Sequence, residues 1–373
     1  MSKIYFDSAA TTKPRPEVIA EMVRVLENEY GNPSSSHAFG RSARSVVELS
    51  RKAIAKRLNC TAQEIIFTSG GTEADNWILR SAVGGLGIKR IISSRIEHHA
   101  VLHTLELLAS EFDLEIDFVR VLPSGQIDLE DLGSLLQRQT PTLVSLMHVN
   151  NEIGTVIDLG AVGTLCRQNG AFFQSDTVQS AGKEPLDLSS IELDFMVASA
   201  HKFHGPKGVG FAYIRKGIGL SPMIFGGEQE KGLRAGTEAI HNIAGMSLAF
   251  DLAHEHHESE KRHITGLKQY LTERVLAEFP GAKINGATTF YNIVNICFPF
   301  SEEKTSMILF ALDMKGIALS RGSACQSGSA KPSHVLAEIL SEDDIKKPSL
   351  RISFSHENTK EEIDRFIEAL KSV

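Results

Sequence analysis

Between Glu64 and Ile214, short apolar runs alternate with longer segments whose apolar residues recur at helical spacing. This alternation constrains the fold more than any other feature of the chain. The runs EIIFTS (64–69), RIISS (90–94), IDFVRV (116–121), TLVSLMHV (142–149), AFFQSD (171–176), DFMVASA (194–200) and GVGFAYI (208–214) read as strands. TEADNWILRSAVGG, HHAVLHTLELLASEF, DLEDLGSLLQRQ and LGAVGTLCRQNG between them read as helices. Strands and helices in this order predict an α/β fold, a mostly parallel sheet flanked by helices. After Thr237 the pattern changes to long helical segments over 238–280. Beyond them come strands around NIVNICFPF and LRISFS and helices at TSMILFALDMKG and TKEEIDRFIEALKSV. A smaller α+β C-terminal domain is therefore expected. The expected division is 14–250 for the large domain, with 1–13 and 251–373 forming the small one.

Composition narrows the class. Of 373 residues 42% are hydrophobic and 23% charged, enough apolar content to offset the ordering entropy that leaves poorer chains disordered. A formal charge of −7 argues against phosphate-neutralising nucleic-acid binding. The uncharged stretch Ile284–Phe300 contains Asn285, Asn292, Asn295 and Pro299, so it reads as a buried strand pair and not a membrane span. MSKIYFDSAATT has no apolar run of signal-peptide length, and the expected location is the cytoplasm. Cys60, Cys166, Cys297 and Cys325 include no C-x-x-C pair, so each is core filler or a reactive thiol.

In an open α/β sheet, ligands bind beyond the carboxyl ends of the strands, and polar clusters fall there. Ser69-Gly70-Gly71-Thr72-Glu73 joins a strand to a helix, where backbone amides can face an anion. Glu97-His98-His99 and His148–Gly154 (HVNNEIG) follow two further strands. Asp176 and Gln179 follow another; an acid and an amide so spaced suit a heteroaromatic nitrogen and a ring hydroxyl, although a lone Asp is more often a helix cap. Ser199-Ala200-His201-Lys202 decides among readings. A lysine at a buried strand end costs desolvation free energy, and burial lowers its pKa toward that of a nucleophile for carbonyls. A phosphate loop, an acid, a stacking histidine and that lysine form a pyridoxal phosphate constellation.

The chain resembles the cysteine desulfurases, fold-type I pyridoxal 5'-phosphate enzymes of the class V aminotransferase type. The resemblance runs through YFDSAATT, GNPSSSHAFGR, TSGGTEADN, EHHAV, MHVNNEIGT, DTVQSAGK, SAHKFHGPKGVG, LRAGTE, SRGSACQSGSAKPSHVL and LRISFS, in order along nearly the whole chain. It implies that Lys202 forms the internal aldimine, Asp176 pairs with the pyridine nitrogen and Gln179 bonds the ring hydroxyl. It further implies that His98, selected over His99 by the E-H-x-A-V pattern, stacks on the ring and serves as acid/base. Gly71, Thr72, Ser199 and His201 would hold the phosphate, with Thr237 contributed by the opposite subunit of a homodimer. Asn151 would contact cofactor and substrate, Arg351 would clamp the substrate carboxylate, and Cys325 would be the nucleophile. The implied reaction converts L-cysteine to L-alanine and a persulfide, passed to an acceptor protein such as an iron–sulfur scaffold. No metal, nucleic acid or membrane is implied.

The chain departs from the pattern at Arg321, where S-S-G-S-A-C is the commoner sequence, and at SFSHENT beyond Arg351, where a glycine-arginine pair is commoner. Both changes bear on which sulfur acceptor docks. Related readings are a selenocysteine lyase or an aminotransferase; the latter needs no thiol. A non-catalytic scaffold is the third, against which SGGTE lacks both G-K-[ST] and G-x-G-x-x-G. Cys60, Cys166 and Cys297 read as core residues. His254, His256 and His257 lie in what reads as one solvated charged helix, a poor metal site.

Overall fold

The computed structural model describes residues 3–322 and 333–372. In chain order, β1 (Ile4–Tyr5) precedes α1 (Pro16–Asn28) and α2 (Ala38–Arg57). Then come β2 (Ile65–Thr68), α3 (Gly71–Gly85), β3 (Arg90–Ser93), α4 (His99–Glu111), β4 (Glu115–Phe118), α5 (Leu129–Leu135), β5 (Thr142–Ser145), α6 (Leu159–Gln168) and β6 (Phe172–Asp176). β7 (Phe195–Ser199) and β8 (Gly210–Ile214) close the series.

Strands β2 to β8 form one seven-stranded sheet in the order β2-β8-β7-β6-β5-β3-β4. All neighbours are parallel except β8, which runs antiparallel to both β2 and β7. All but the edge strand β4 are buried along their length, apart from a half-buried Phe172, because both faces are covered. Ile65, Phe67, Ile92, Val144 and Met196 enter one core, shared with α1, α2 and the later helix α7 (Ile240–Glu255). Ile66, Ile91, Leu143 and Val197, one residue out of step, enter another built on α3 and α4. The expected mostly parallel, helix-covered sheet is what forms.

α7 (Ile240–Glu255) and α8 (His257–Glu278) follow, then β9 (Lys283–Asn285), β10 (Ile293–Cys297), α9 (Glu302–Met314), β11 (Ile317–Ala318), α10 (His334–Ile339), β12 (Ser349–Ser353) and α11 (Lys360–Lys371). β10 lies between β9 and β12 in an antiparallel sheet, which makes the uncharged 284–300 stretch a buried strand pair. A separate core of Phe6, Leu271, Ile296, Ile352 and Phe366 covers it. β1 pairs with β11, and Asp7 bridges to Ser353, so the first residues lie against this smaller sheet.

One local expectation fails. The charged helix around residues 254–257 is two helices meeting at His256. His257 is buried, and His254 Nδ1 bonds the Phe250 carbonyl oxygen at 2.8 Å. The break ends the shared face that i,i+3 spacing would have given.

Candidate active site

The carboxyl ends of β2, β3, β5, β6 and β7 open onto a cavity of about 380 Å³. Its lining brings together Gly71, Thr72, His98, Asn151, Asp176, Gln179, Ser199, His201, Lys202 and Arg351, residues drawn from the whole length of the chain. Thr237 lies elsewhere, in an adjoining hollow with Ser69, Gly208 and Arg234. Cys325 lies outside the described residues.

Gly70 is the N-cap of α3 with φ of 152°, a left-handed backbone that a side chain would strain. A Cβ on Gly71 would come within 2.6 Å of the Val178 side chain. The two glycines thus let the amino end of a 15-residue helix reach the cavity wall, where its orphan N–H groups attract an anion. Glu73, also in the lining, has its carboxylate occupied by protein donors. It accepts the Ser69 amide at 2.8 Å and pairs with Arg234 at 2.9 Å.

Lys202 sits on a 3-10 turn directly after β7. Its Nζ donates to the carbonyl oxygens of Ala9 and Ala10 at 2.7 and 2.9 Å. Asp176, the last residue of β6, accepts the Val178 amide at 2.9 Å, and burial pushes its carboxyl up to about 6. Asp75 lies nearby in the same lining, fully buried and held by Gln174 Nε2 at 3.0 Å. Burial and the charge of Asp176 raise its pKa.

His98 caps α4, its Nδ1 accepting the Ala100 amide at 3.1 Å. Burial, with the charges of Lys202 and neighbouring histidines, lowers its pKa to about 4. The ring is therefore neutral near pH 7, and because Nδ1 is the acceptor, Nε2 carries the hydrogen. Glu97, just before it, ties β3 to β5 by accepting the Met147 amide at 2.9 Å. His201 lies against Thr11, its Nδ1 3.1 Å from the hydroxyl, and burial lowers its pKa to about 4.

Of the adjacent asparagines, Asn150 is structural. Its Oδ1 accepts the amides of Glu152 and Ile153, and its Nδ2 donates to the Ile96 carbonyl oxygen. Asn151 instead lines the cavity, and its carbonyl accepts Arg351 Nη1 at 2.8 Å. Arg351 is only 1% exposed. Its Nη2 donates to Asp7 at 2.7 Å, and its buried Nε has no partner among the described residues. Asp7, in YFDSAATT, is an ion partner of Arg351 that the sequence reading does not name. The signal was an acid directly after a short apolar run.

The chemistry of the donor set fits pyridoxal phosphate. Hydroxyls of Thr72 and Ser199, the His201 imidazole and the α3 amides match a phosphate. The buried Asp176 carboxyl and the half-buried Lys202 amine line the same cavity, and the orphaned Arg351 Nε lacks an acceptor such as a carboxylate. Among the described residues no three His, Cys, Asp or Glu side chains are placed to share a metal ion, and no helix is long and apolar enough to cross a membrane.

Residues 4–366 match the aminotransferase class-V family. The chain is 38% identical to the cysteine desulfurase IscS of Clostridium botulinum (strain Kyoto / Type A2), covering 100% of this chain and 94% of that protein. A solved NifS-like protein superposes with a TM-score of 0.91 at 34% identity, covering 100% of this chain and 99% of the other. SspA in complex with cysteine gives a TM-score of 0.82 at 29% identity, covering 96% and 100%. The fold, the cavity and these full-length likenesses agree: the chain belongs to the aminotransferase class-V family.

Proposed function

We propose that the chain is a pyridoxal phosphate-dependent cysteine desulfurase, converting L-cysteine to L-alanine and placing the sulfur on Cys325 as a persulfide. The observation that carries this reading is the convergence of Lys202, Asp176, Thr72, Ser199 and Arg351 on one cavity. A relative 38% identical over the full chain carries the same activity in its name.

Lys202 would hold the cofactor covalently through its ε-amine. Asp176 would face the ring nitrogen, Gln179 the ring hydroxyl, and Gly71, Thr72, Ser199 and His201 the phosphate. When bound, pyridoxal phosphate supplies an electron-accepting ring that weakens bonds beside an attached amino group. Arg351 would bind the substrate carboxylate with its remaining hydrogens, held in place by Asp7 and the Asn151 carbonyl. His98 would stack on the ring and exchange protons. With Nδ1 occupied by the Ala100 amide, Nε2 is the atom through which it would do so. The Cys325 thiolate would attack the substrate sulfur. The S–S bond forms as the Cβ–S bond breaks, and the electron pair goes to carbon, which then takes a proton.

The working unit is a homodimer in this reading. Ile19, Val23 and Leu26 leave an apolar stripe exposed on α1, and Thr237 stands outside its own chain's central cavity. The persulfide would pass to an acceptor protein such as an iron–sulfur scaffold. Incubation of the pyridoxal phosphate-loaded protein with L-cysteine tests the proposal. L-Alanine and enzyme-bound sulfur should form in equal amounts, and Lys202→Ala should form neither. Equal alanine production by Lys202→Ala would refute it.

A further inference from the structure

Behind the cavity wall lies a second lysine. Lys183 is 8% exposed, and its Nζ donates to Gln179 Oε1 at 3.3 Å. Gln179 in turn donates from Nε2 to the Ala9 carbonyl oxygen at 2.9 Å, the oxygen that also accepts Lys202. The groups acting on Lys183 include Lys202 and Arg351, both positive, and burial together with these charges lowers its amine to about 7. A buried amine among like charges is a costly placement for a residue that only fills space.

The hydrogen-bond inventory supplies its task. Below pH 7, where Lys183 is an ammonium, it can only donate, and a backbone carbonyl can only accept. A glutamine amide between them has one satisfied orientation, with Oε1 toward Lys183 and Nε2 toward Ala9. Without Lys183 the two orientations differ by one neutral bond only, a difference of a few-fold in population. We infer that Lys183 is a positioning residue for Gln179, fixing the amide so that its NH2 faces Ala9 and the central cavity. The second amide hydrogen is then presented to an oxygen of the group the cavity holds. This rests on the reading of the cavity as a pyridoxal phosphate site, and it concerns the ring hydroxyl end of that site.

The experiment compares wild type, Lys183→Met, Gln179→Leu and the double variant, each loaded with pyridoxal phosphate. Two readouts are taken: the visible absorption maximum, and the rate at which hydroxylamine strips the chromophore. Lys183→Met should shift the maximum and speed stripping about fivefold, the loss of one neutral hydrogen bond. The double variant should match Gln179→Leu, because Lys183 acts only through that amide. Additive effects, or an unchanged Lys183→Met spectrum, overturn the inference while leaving the cofactor reading intact. Wild-type protein that takes up no pyridoxal phosphate overturns both. Should Lys183→Met not fold, Lys183→Gln keeps an N–H for Oε1 and should hold the wild-type spectrum. A shift there as large as in Gln179→Leu overturns the inference.

Discussion

The Ser333 hydroxyl donates to the Glu152 carboxylate and accepts the backbone amides of Val335 and Leu336 at 3.1 and 3.2 Å. One side chain thus caps α10 and ties it to the turn that carries Asn151. Glu152 is fully buried, and its other oxygen has no partner among the described residues. A Cβ on Gly322 would lie 3.1 Å from the same carboxylate. Both residues flanking 323–332 therefore meet at Glu152.

Ser333→Ala should destabilise the fold by about 2–4 kcal/mol. Roughly 1 kcal/mol is the lost cap, and the rest is a buried carboxylate that loses this donor. Ser333→Asn keeps both a capping oxygen and a donor, and should recover at least half of the loss. Denaturant titration measures both, and equal stability of the alanine variant and wild type would refute the account.

A second test lies at the segment carrying Thr237. Arg51 makes a fork to Glu230, both bonds at 2.7 Å, and the two side chains are 3% and 2% exposed. Glu230 also accepts the Phe67 amide at 2.8 Å, which fixes residue 230 against β2. Arg51→Met strands a buried carboxylate and should cost about 3–5 kcal/mol. Arg51→Lys keeps the charge but not the fork, and should fall between the two. A methionine variant as stable as wild type would show that the pair is dispensable.

The strand-end clusters were legible because parallel strands buried on both faces have one apolar signature, and polar residues just past them have few structural uses. Lys202, Asp176 and the SGGTE loop stand out on those grounds. What stayed hidden are partnerships across long separations. Asp7 reaches Arg351 because the first residues run beside β12, and Glu152 reaches Ser333 because α10 packs on the core of the large sheet. Nothing in the spacing of those residues encodes the contact. Lys183 was quoted within DTVQSAGK, yet only its placement behind Gln179 gives it a role. The helix break at His256 was missed because no glycine or proline marks it.

Acidification should weaken the fold below pH 6.5. Burial holds His98, His148 and His201 at about 4 and His204 at about 3, against an ordinary 6.5. The unfolded chain takes up these protons first as pH falls. The stabilisation is thus complete above 6.5 and is lost on the way down to the folded values, at about 1.4 kcal/mol per pH unit for each proton. Glu97 and Asp176, raised to about 8 and 6, work the other way and offset part of the slope. The melting temperature should still fall between pH 6.5 and 5. His148→Asn should flatten that fall; a slope unchanged in the variant would remove His148 from the account.

The remaining prediction concerns sulfur. Burial pushes the Cys60 and Cys166 thiols up to about 12, and raises that of Cys297. A thiol that stays protonated at neutral pH is a poor nucleophile. Cys166 and Cys297 are also buried, away from any acceptor protein. Cys325 alone should carry persulfide after treatment with L-cysteine. Cys325→Ser should then keep the yellow chromophore and the spectral change on adding L-cysteine, because Lys202, Asp176 and Arg351 are untouched. Alanine formation should fall by at least about a thousandfold, as removal of a covalent nucleophile does. A Cys60→Ser, Cys166→Ala, Cys297→Ala variant should retain turnover, since none of the three lines the cavity. Mass spectrometry of peptides from the treated protein locates the sulfur. Persulfide on Cys60, Cys166 or Cys297, or full turnover in Cys325→Ser, would overturn the assignment.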